Sequence, residues 1–428
     1  MRATCSAAAL VALGAGLARA QLPSASAAAL AVGDNYIARA RGFAAVAWNP
    51  AGLGMRDNPR WSLAVLPVRG VGGLGPVGYG DIADHGGELL PNEVREEWLR
   101  RVTESGRERG GAAGDITYAA LSVGRVGVQL STRAEGLVDV PPDGVELLLF
   151  GNAGRTGEPR DLRLAGASVD AVVSSTAAVA YAQPVPLRLG SAPDQRAAVG
   201  LTLGYTVGHA FVRGRDAGTA LTARPLEVDI KFPVVQSDTS YDDFQVGSGV
   251  GLDLGAAWQG GRWSVALSTQ NLVSTFAWDE SKLYYRRGAA FFDIDTSSTN
   301  FDPLPFDSLG AGVLRQGVLD FRFKPMLRLG AAFRANDRTV LSADFHQKLS
   351  DGFGTEPDTH AGLGAEYRPV RWLPLRAGAA ALTGGYLVSG GLGVELAAFN
   401  LAASIARRQT DALGSGAIAM FGVSFGGR

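Results

Sequence analysis

Apolar and polar residues alternate with a period of two, in pieces of about ten residues, along most of this chain. In residues 249–258, Val250, Leu252 and Leu254 share one face, whereas the other face carries Asp253 and several glycines. This period is typical of β-strands that have one apolar and one polar face. About fourteen such pieces, with an uncertainty of about two, can be counted between residues 61 and 425.

Short turns connect the predicted strands as hairpins. Gly260-Gly261 stands between two of them, and glycine accepts the positive φ that two-residue hairpin turns require. The most regular piece, 321–333, is followed by a predicted turn at Asn336-Asp337 and by another strand. No window contains eighteen consecutive apolar residues, so the pattern predicts no transmembrane helix.

The polar faces carry glycine and long charged side chains, as the wall of a water-filled lumen would. Trp258 and Trp263 flank one tight turn, where the aromatic girdle of a membrane barrel belongs. A secreted soluble β-protein would alternate in the same way and is the alternative. We expect an all-β fold, a closed transmembrane antiparallel β-barrel of about 14 strands, because an exported sheet can span lipid only if it closes. The residues expected to face its lumen are Asp253, Arg262, Gln270, Arg322, Lys324, Arg328, Asp344, His346 and Arg376.

The first twenty residues have the pattern of a secretory signal peptide. Arg2 precedes an apolar stretch that ends at Ala18-Arg19-Ala20, which predicts export and cleavage after Ala20. The stretch is too short for a permanent membrane anchor. We therefore expect a signal peptide over residues 1–20, with the mature protein in the bacterial outer membrane.

The segment that follows the signal peptide differs from the predicted strands. It is rich in alanine, does not alternate, and ends in Trp48-Asn49-Pro50-Ala51-Gly52-Leu53-Gly54. Asn-Pro favours a turn, and the glycines permit close backbone approach. An apolar, compact segment before the first strand fits a lumen better than water. We expect a plug or hatch over residues 21–57, with Trp48, Asn49, Pro50, Ala51, Gly52 and Leu53 contacting a ligand or the wall, and the barrel over residues 58–428.

Composition narrows the classes of function. Lys and Arg number 40 against 41 Asp and Glu, so the chain lacks the basic excess of a nucleic-acid-binding protein. Glycine makes up 58 of 428 residues, about twice its usual share. Cys5, the single cysteine, would leave with the signal peptide, which excludes disulfides and thiolate metal sites from the mature chain.

Two segments between predicted strands have helical patterns. Residues 92–109 have apolar side chains at helical spacing and predict a solvated loop helix near one mouth, with a ligand gate as the alternative. The apolar run in 145–150 predicts a second helix, packed inside or across the barrel. Residues 237–244 and 292–309 are polar and predict exposed loops.

Residues 42–53, Gly-Phe-Ala-Ala-Val-Ala-Trp-Asn-Pro-Ala-Gly-Leu, resemble the N-terminal hatch motif of FadL-type outer-membrane barrels. This group includes long-chain fatty-acid transporters and the PorV-like barrels of type IX secretion. Residues 254–272, 327–333 and 363–369 show looser similarity to the wall. The resemblance implies a fourteen-stranded barrel with an N-terminal plug. Two features depart from it: Gly426-Gly427-Arg428 follow the aromatic residue on which such barrels usually end, and the predicted lumen face is charged.

No motif predicts catalysis, a metal site or a cofactor. Gly70–Gly75 matches G-x-G-x-x-G, but Pro76 follows where a dinucleotide site needs a helix. The four histidines do not have metal-ligand spacing. Acidic residues between 293 and 307 could bind a hard cation, although scattered loop acids are the commoner explanation. An outer-membrane hydrolase that assembles its residues from separate strands is kept as a minor hypothesis.

Two functions follow from these features. The first is passive transport of hydrophobic, fatty-acid-like molecules across the outer membrane, through an apolar pocket beside the plug. Its partners would be outer-membrane lipids and a hydrophobic ligand, and it requires no cofactor. The alternative is a PorV-like scaffold or shuttle in secretion or envelope assembly, whose partners would be secretion or assembly proteins.

Overall fold

A computed structural model of the protein describes residues 22–192, 194–238, 244–310, 312–411 and 413–427. The predicted signal peptide and its cleavage site lie outside the described residues. Most of the described chain forms long antiparallel strands. The wall strands are β1 (Trp61–Gly75), β2 (Glu108–Val123), β3 (Val126–Val140), β4 (Ser168–Val185), β5 (Arg196–Arg215), β6 (Gly247–Gly260), β7 (Trp263–Gln270), β8 (Met326–Arg334), β9 (Thr339–Lys348), β10 (Thr359–Val370), β11 (Leu373–Leu382), β12 (Gly385–Leu396), β13 (Phe399–Thr410) and β14 (Gly414–Gly427).

These fourteen strands form a closed barrel, which confirms the predicted fold. Each strand pairs with the next one along the chain, and β14 pairs with β1, where Leu63 lies opposite Phe425. Every wall strand therefore has two neighbours. Closure pairs the backbone groups that an open sheet would expose to lipid.

The connections differ in length between the two ends of the barrel. At one end they are short: 124–125, 186–195, 261–262, 335–338, 371–372 and 397–398. At the other end they are 76–107, 141–167, 216–246, 271–325, 349–358, 383–384 and 411–413. Because outer-membrane barrels have short periplasmic turns and longer extracellular loops, the second end is the extracellular one. The turn predicted at Asn336-Asp337 lies in a short connection, as expected.

The outer face of the wall is apolar and the inner face is polar. On β6, Val250 and Leu254 are 48% and 39% exposed, whereas Asp253, between them, is 5% exposed. Trp61, Trp263 and Trp372 are exposed near the periplasmic end of their strands or in the adjoining turn, where an aromatic girdle contacts lipid headgroups. The alternation therefore belongs to an outer-membrane barrel with its apolar side chains toward lipid.

The helices lie in the N-terminal segment and in the extracellular connections. They are α1 (Ala27–Ala31), α2 (Ala45–Trp48), α3 (Tyr79–Ala83), α4 (Asn92–Ser105), α5 (Pro142–Phe150) and α6 (Val313–Leu319), with 3₁₀ turns at Gly42–Ala44, Pro50–Gly54, Gly151–Ala153, Glu280–Lys282 and Phe306–Ser308. Short extracellular strands are Leu162–Arg163, Ala220–Thr222, Glu227–Lys231, Val234–Ser237, Val273–Ser274, Ala277–Trp278, Leu283–Arg286, Ala289–Phe292, Ser297–Asn300 and Pro303–Pro305. Within the described ranges, no helix has the length and apolar character needed to cross a membrane.

Both predicted loop helices form, with altered bounds. Helix α4 ends at Ser105 instead of 109, because Gly106 adopts a left-handed φ of 82° and β2 begins at Glu108. The expectation that 145–150 packs inside or across the barrel is wrong. Helix α5 packs against α4 at the extracellular end, where Val145 joins Trp98 in one apolar cluster.

The strand predicted from residue 321 starts later. β8 begins at Met326, and Phe321 and Phe323 are each 5% exposed. Their rings pack edge to face, with centroids 5.0 Å apart, in an aromatic cluster that includes Phe276 and Trp278. The alternation is real, but its apolar face contacts other extracellular segments instead of lipid. A period of two does not distinguish these environments.

The N-terminal segment, defined here as residues 22–57, lies against inward faces of the wall. Helix α1 packs against β12 and β13, and the turn Pro50–Gly54 packs against β4, β5 and β6. Glycine on the wall permits this approach: a β-carbon on Gly378 would lie 2.1 Å from the carbonyl carbon of Val32. A β-carbon on Gly200 would lie 2.5 Å from the amide nitrogen of Ala51. Part of the glycine excess in the sequence therefore makes room inside the barrel.

Candidate functional site

A cavity enclosed by the wall, the N-terminal segment and residues 356–357, which we call the central cavity, has one apolar side and one charged side. The apolar residues are Leu22, Pro23, Ala47, Trp48, Met326, Pro357, Leu382, Leu387 and Ile418. The polar and charged residues are Ser24, Asp34, Arg69, Arg133, Arg328, His346, Glu356, His360 and Arg408. Its volume is about 40 Å³, so as it stands it has room for only a few water molecules, and its lining combines an apolar and a charged surface.

Four arginines converge on the charged side: Arg69 from β1, Arg133 from β3, Arg328 from β8 and Arg408 from β13. We call them the arginine cluster; each is at most 7% exposed. Acidic side chains neutralise part of the charge. The Nη2 atom of Arg69 lies 3.4 Å from Oδ2 of Asp34, and the Nη2 atom of Arg133 lies 2.5 Å from Oε1 of Glu135.

The arginine cluster retains donors that no acceptor satisfies. Within the described part of the chain, Nε of Arg69, Arg133 and Arg328 and Nη2 of Arg408 are buried and have no hydrogen-bond partner. A buried donor without an acceptor is destabilising, more so when it carries charge. The charged side of the cavity therefore has the capacity to bind an acceptor such as water or a carboxylate.

The indole of Trp48 lies between the apolar side and the charged side. The guanidinium carbon of Arg328 is 5.2 Å from the centre of this ring, a cation–π distance. His346, 6.3 Å from the same ring, stacks on His360 with centroids 4.4 Å apart. His360 Nε2 lies 3.1 Å from Oδ1 of Asn35. Wall residues and the N-terminal segment thus build the cavity together.

The Asn-Pro-Ala-Gly-Leu motif lies where the N-terminal segment meets the wall. The side-chain oxygen of Asn49 accepts a hydrogen bond from the backbone N–H of Ala51 at 3.1 Å, which caps the 3₁₀ turn. The side-chain amide of Asn49 donates to the carbonyl oxygen of Ala256 on β6 at 3.2 Å. Ser268 on β7 donates to the carbonyl oxygen of Trp48 at 2.9 Å. All six residues from Trp48 to Leu53 are buried, and Trp48 alone among them lines the central cavity.

The nine residues expected to face the lumen fall into three groups. Asp253, Gln270, Arg328, Asp344, His346 and Arg376 are buried on wall strands. Lys324 precedes β8 and donates through Nζ to the carbonyl oxygen of Glu356 at 2.8 Å. Arg262 and Arg322 depart from the expectation. Arg262 is exposed in the turn 261–262, with its guanidinium over the ring of Phe333, and Arg322 lies before β8 near Asp320.

These residues serve different parts of the barrel. Asp344 accepts a hydrogen bond from the backbone N–H of Ile37 at 2.9 Å and so fixes the N-terminal segment. Arg376 donates to Glu366 at 2.8 Å, and Glu366 also pairs with Arg39 of that segment at 2.6 Å. Of the nine, Arg328 and His346 line the central cavity.

An extracellular connection also reaches the cavity. Residues 351–358, which we call the strap, join β9 to β10 and fold into the barrel, where Thr355 is buried. Thr355 donates through its backbone N–H and its hydroxyl to Oε1 of Glu135, at 3.0 and 2.7 Å. Burial alone would raise the pKa of Glu356, but Arg69, Arg133, Arg408 and Arg328 outweigh it and lower this pKa to about 2. The arginines therefore favour the charged form of Glu356.

Comparisons with known proteins give similarity in structure only. No family model matches the chain, and no curated protein matches it. Among solved structures, the CymD monoaromatic hydrocarbon channel is 12% identical, with 94% of this chain and 97% of that chain covered and a TM-score of 0.51. At this identity the similarity concerns the fold alone. The chain has the FadL-type barrel fold.

Two further structures are similar over almost the whole chain. A Pseudomonas aeruginosa FadL homologue is 14% identical, with 97% of this chain and 100% of that chain covered and a TM-score of 0.49. The Ralstonia pickettii toluene transporter TbuX is also 14% identical, with coverages of 94% and 98% and a TM-score of 0.49.

Sequence reasoning named Trp48, Arg328 and His346 among the residues that line the central cavity of this FadL-type fold, but not its other charged residues. Arg69, Arg133 and Arg408 are on inward faces of alternating strands, so the period of two could have selected them. Glu356 gives no such signal, because it lies in a connection and reaches the lumen only through the path of the strap. Within the described ranges, no group of three or more His, Cys, Asp or Glu side chains is placed to hold a metal ion.

Proposed function

We propose that this protein is an outer-membrane channel for passive transport of hydrophobic small molecules with an acidic group, of the fatty-acid type. The N-terminal segment would act as its plug, after removal of residues 1–20. This function needs no catalytic residue and no cofactor. The observation that carries the proposal is the two-sided cavity, in which apolar side chains face the arginine cluster.

The apolar side of the cavity supports capture of a hydrocarbon chain. Leu382, Leu387 and Ile418 lie on neighbouring parts of the wall, and each is less than 9% exposed. Burial of each methylene group of a ligand contributes about 0.8 kcal/mol. A short alkyl chain would therefore gain several kcal/mol on this surface once a movement of the N-terminal segment or of the strap enlarges the cavity.

The charged side supports recognition of a carboxylate. The four unpaired N–H donors of the arginine cluster are cationic, and hydrogen bonds between ionised groups are about twice as strong as neutral ones. A neutral aromatic hydrocarbon would leave these donors unsatisfied. This reasoning favours fatty-acid-like ligands over the monoaromatic hydrocarbons for which the CymD channel is named.

In the proposed transport path, the N-terminal segment would lie between the cavity and the periplasm. Its contacts with the wall include the hydrogen bonds of Ile37 to Asp344 and of Thr202 on β5 to the carbonyl oxygen of Val46. A ligand in the cavity would contact Trp48 and Ala47 of this segment. Release toward the periplasm would therefore require the segment to shift.

Uptake measurements test this function. A strain without the gene, complemented with the natural protein, should take up a radiolabelled long-chain fatty acid faster than the uncomplemented strain. Leu382→Asn places an amide on the apolar side of the cavity and should lower uptake several-fold. Leu89→Asn is the matched control, because Leu89 is 98% exposed in an extracellular connection.

Equal uptake in the deleted and complemented strains would overturn the proposal. Recovery of a stoichiometric secretion or assembly protein with the barrel would then favour the PorV-like scaffold role. Toluene uptake provides a further comparison. If the protein accelerated toluene uptake but not fatty-acid uptake, the transported compounds would be neutral hydrocarbons and the proposed requirement for an acidic group would be wrong.

A further inference from the structure

The strap contributes to the lining of two cavities. The central cavity lies on its periplasmic side, and a second cavity, which we call the mouth cavity, opens on its extracellular side. Glu356 and Pro357 belong to the lining of both. The mouth cavity is otherwise lined by residues of the extracellular end, among them Arg109 and Arg213. A molecule that enters from outside therefore meets the strap before it meets the arginine cluster.

We infer that the strap is the extracellular gate of this barrel and that Glu356 is the latch that holds it closed. The inference rests on the proposed transport function, since a gate has a role only in a channel. The latch works because the chain supplies its own carboxylate to the arginine cluster. While Glu356 occupies this position, its backbone closes the passage between the two cavities.

Both ends of the strap are anchored to other elements. Phe353 packs in the aromatic cluster, 5.6 Å from the ring of Phe321, and Gly352 lies against the backbone of residues 322–324. At the other end, Asp358 pairs with Lys348 at 2.5 Å and with Lys324 at 3.0 Å. The residues between these anchors, 354–357, are thus the part that is able to move without detaching the whole connection.

Polar contacts and charge hold this middle part inward. Arg133 Nη2 lies 3.2 Å from the hydroxyl of Thr355 and 3.6 Å from Oε1 of Glu356. Arg408 donates through Nη1 to the carbonyl oxygen of Thr355 at 3.2 Å. Without the charge of Glu356, the four arginines would have one counter-charge fewer. The middle of the strap would then lose its electrostatic attraction to the arginine cluster. Gly354 has a φ of 148°, a conformation that glycine adopts readily, and it lies where the middle part begins.

Accessibility of the central cavity to external thiol reagents tests the gate directly. Leu387→Cys places a reporter on the cavity wall, and Cys5, the only natural cysteine, lies in the predicted signal peptide. The Leu387→Cys protein is labelled from outside with an anionic and a cationic methanethiosulfonate reagent. Adding Glu356→Gln should accelerate both reactions by about tenfold or more, because it removes an interaction between ionised groups.

The two reagents separate opening from electrostatic attraction. A more positive cavity without opening would accelerate the anionic reagent and slow the cationic one, and that result would overturn the inference. Equal labelling rates with and without Glu356→Gln would also overturn it. Asp351→Asn is the matched control: it removes a carboxylate from the same strap, but its side chain is fully exposed, and it should leave both rates unchanged.

Two additional measurements keep the test independent of folding and of the proposed function. Glu356→Asp retains the charge and should label much more slowly than Glu356→Gln; equal acceleration in both variants would show that disturbed packing opens the cavity, which contradicts the latch. Fatty-acid uptake is measured on the same strains. If both reagents accelerate in Glu356→Gln while the natural protein transports no fatty acid, the strap closes the cavity and the proposed function fails.

Discussion

Replacement of Gly378 by alanine should loosen the N-terminal segment without disturbing the wall. A β-carbon at this position would lie 2.1 Å from the carbonyl carbon of Val32, 2.3 Å from its oxygen and 2.4 Å from the nitrogen of Gly33. These are backbone atoms, so no side-chain rotation relieves the overlap, and the segment must move by about 1 Å or more. Insertion of extra carbon atoms into packed interiors costs about 1–3 kcal/mol.

A cost of about 2 kcal/mol raises the population of the displaced segment about thirtyfold, since 1.4 kcal/mol corresponds to a factor of ten. Hydrogen exchange at the amides of residues 32–37 should accelerate by about this factor. Gly390→Ala is the matched control on the neighbouring strand β12, because a β-carbon there meets nothing nearer than the carbonyl oxygen of Arg376 at 3.8 Å. If both variants exchanged at the rate of the natural protein, the glycines would not be what admits the segment.

Three other residues give independent predictions. Asn49→Ala removes the side-chain oxygen that accepts from Ala51 and should cost about 1 kcal/mol, measured as faster exchange at the amides of residues 51–54 with the strands unchanged. Phe321→Ala should cost about 3–5 kcal/mol within the aromatic cluster and expose the connection 271–325 to protease, while the thermal unfolding of the wall changes little. The hydrogen bond to Arg101 is the main cause that lowers the pKa of Asp81. The interaction therefore stabilises the loop fully above the ordinary carboxyl pKa, and this stabilisation is lost as the pH falls through the lowered pKa of Asp81. The protection of the α3 amides, taken relative to the intrinsic exchange rate at each pH, should therefore be constant at neutral pH and decrease in acid, and Asp81→Asn should abolish that decrease.

The wall was predictable because its pattern is local. In a closed sheet each strand turns one face to lipid and one to the lumen, so period-two alternation marks every strand without knowledge of its neighbours. The short turn at Asn336-Asp337 was predictable for the same reason. Local pattern also explains the error over Phe321 and Phe323, since packing in an aromatic cluster and contact with lipid both require an apolar side chain.

The contents of the barrel could be predicted only in part. The hatch-like sequence around Asn49 pointed to a segment inside the lumen, because an apolar stretch without alternation has no place in the wall. The arginine cluster depends on which strands lie side by side, and the strap depends on the direction of a single connection. The period of two places the arginines on inward faces but does not show that they converge, and the strap leaves no periodic signal. Arg262 was expected in the lumen but lies in an exposed turn, because the polar face of a strand continues into solvent beyond the end of the strand.

The strap and the N-terminal segment both interact with the side chain of Arg69. Movement of one should therefore change how firmly the other is held. Arg69 pairs with Asp34 of the N-terminal segment at 3.4 Å and also faces Glu356 of the strap across the central cavity. When the strap withdraws, Arg69 loses Glu356, one of three nearby counter-charges that also include Asp34 and Asp115, and holds Asp34 more firmly. Opening of the extracellular side should therefore tighten the plug instead of loosening it.

This relation predicts the sign of a double substitution. In the Gly378→Ala background, adding Glu356→Gln should slow the exchange of residues 32–37 by about two- to fivefold, the effect of an ion pair strengthened by about 0.5–1 kcal/mol. The same addition to a chain that also carries Asp34→Asn should have no effect on that exchange, because the shared partner of Arg69 is gone. Exchange that accelerates when Glu356 is neutralised would mean that the strap and the N-terminal segment support each other, and that they open together instead of in turn.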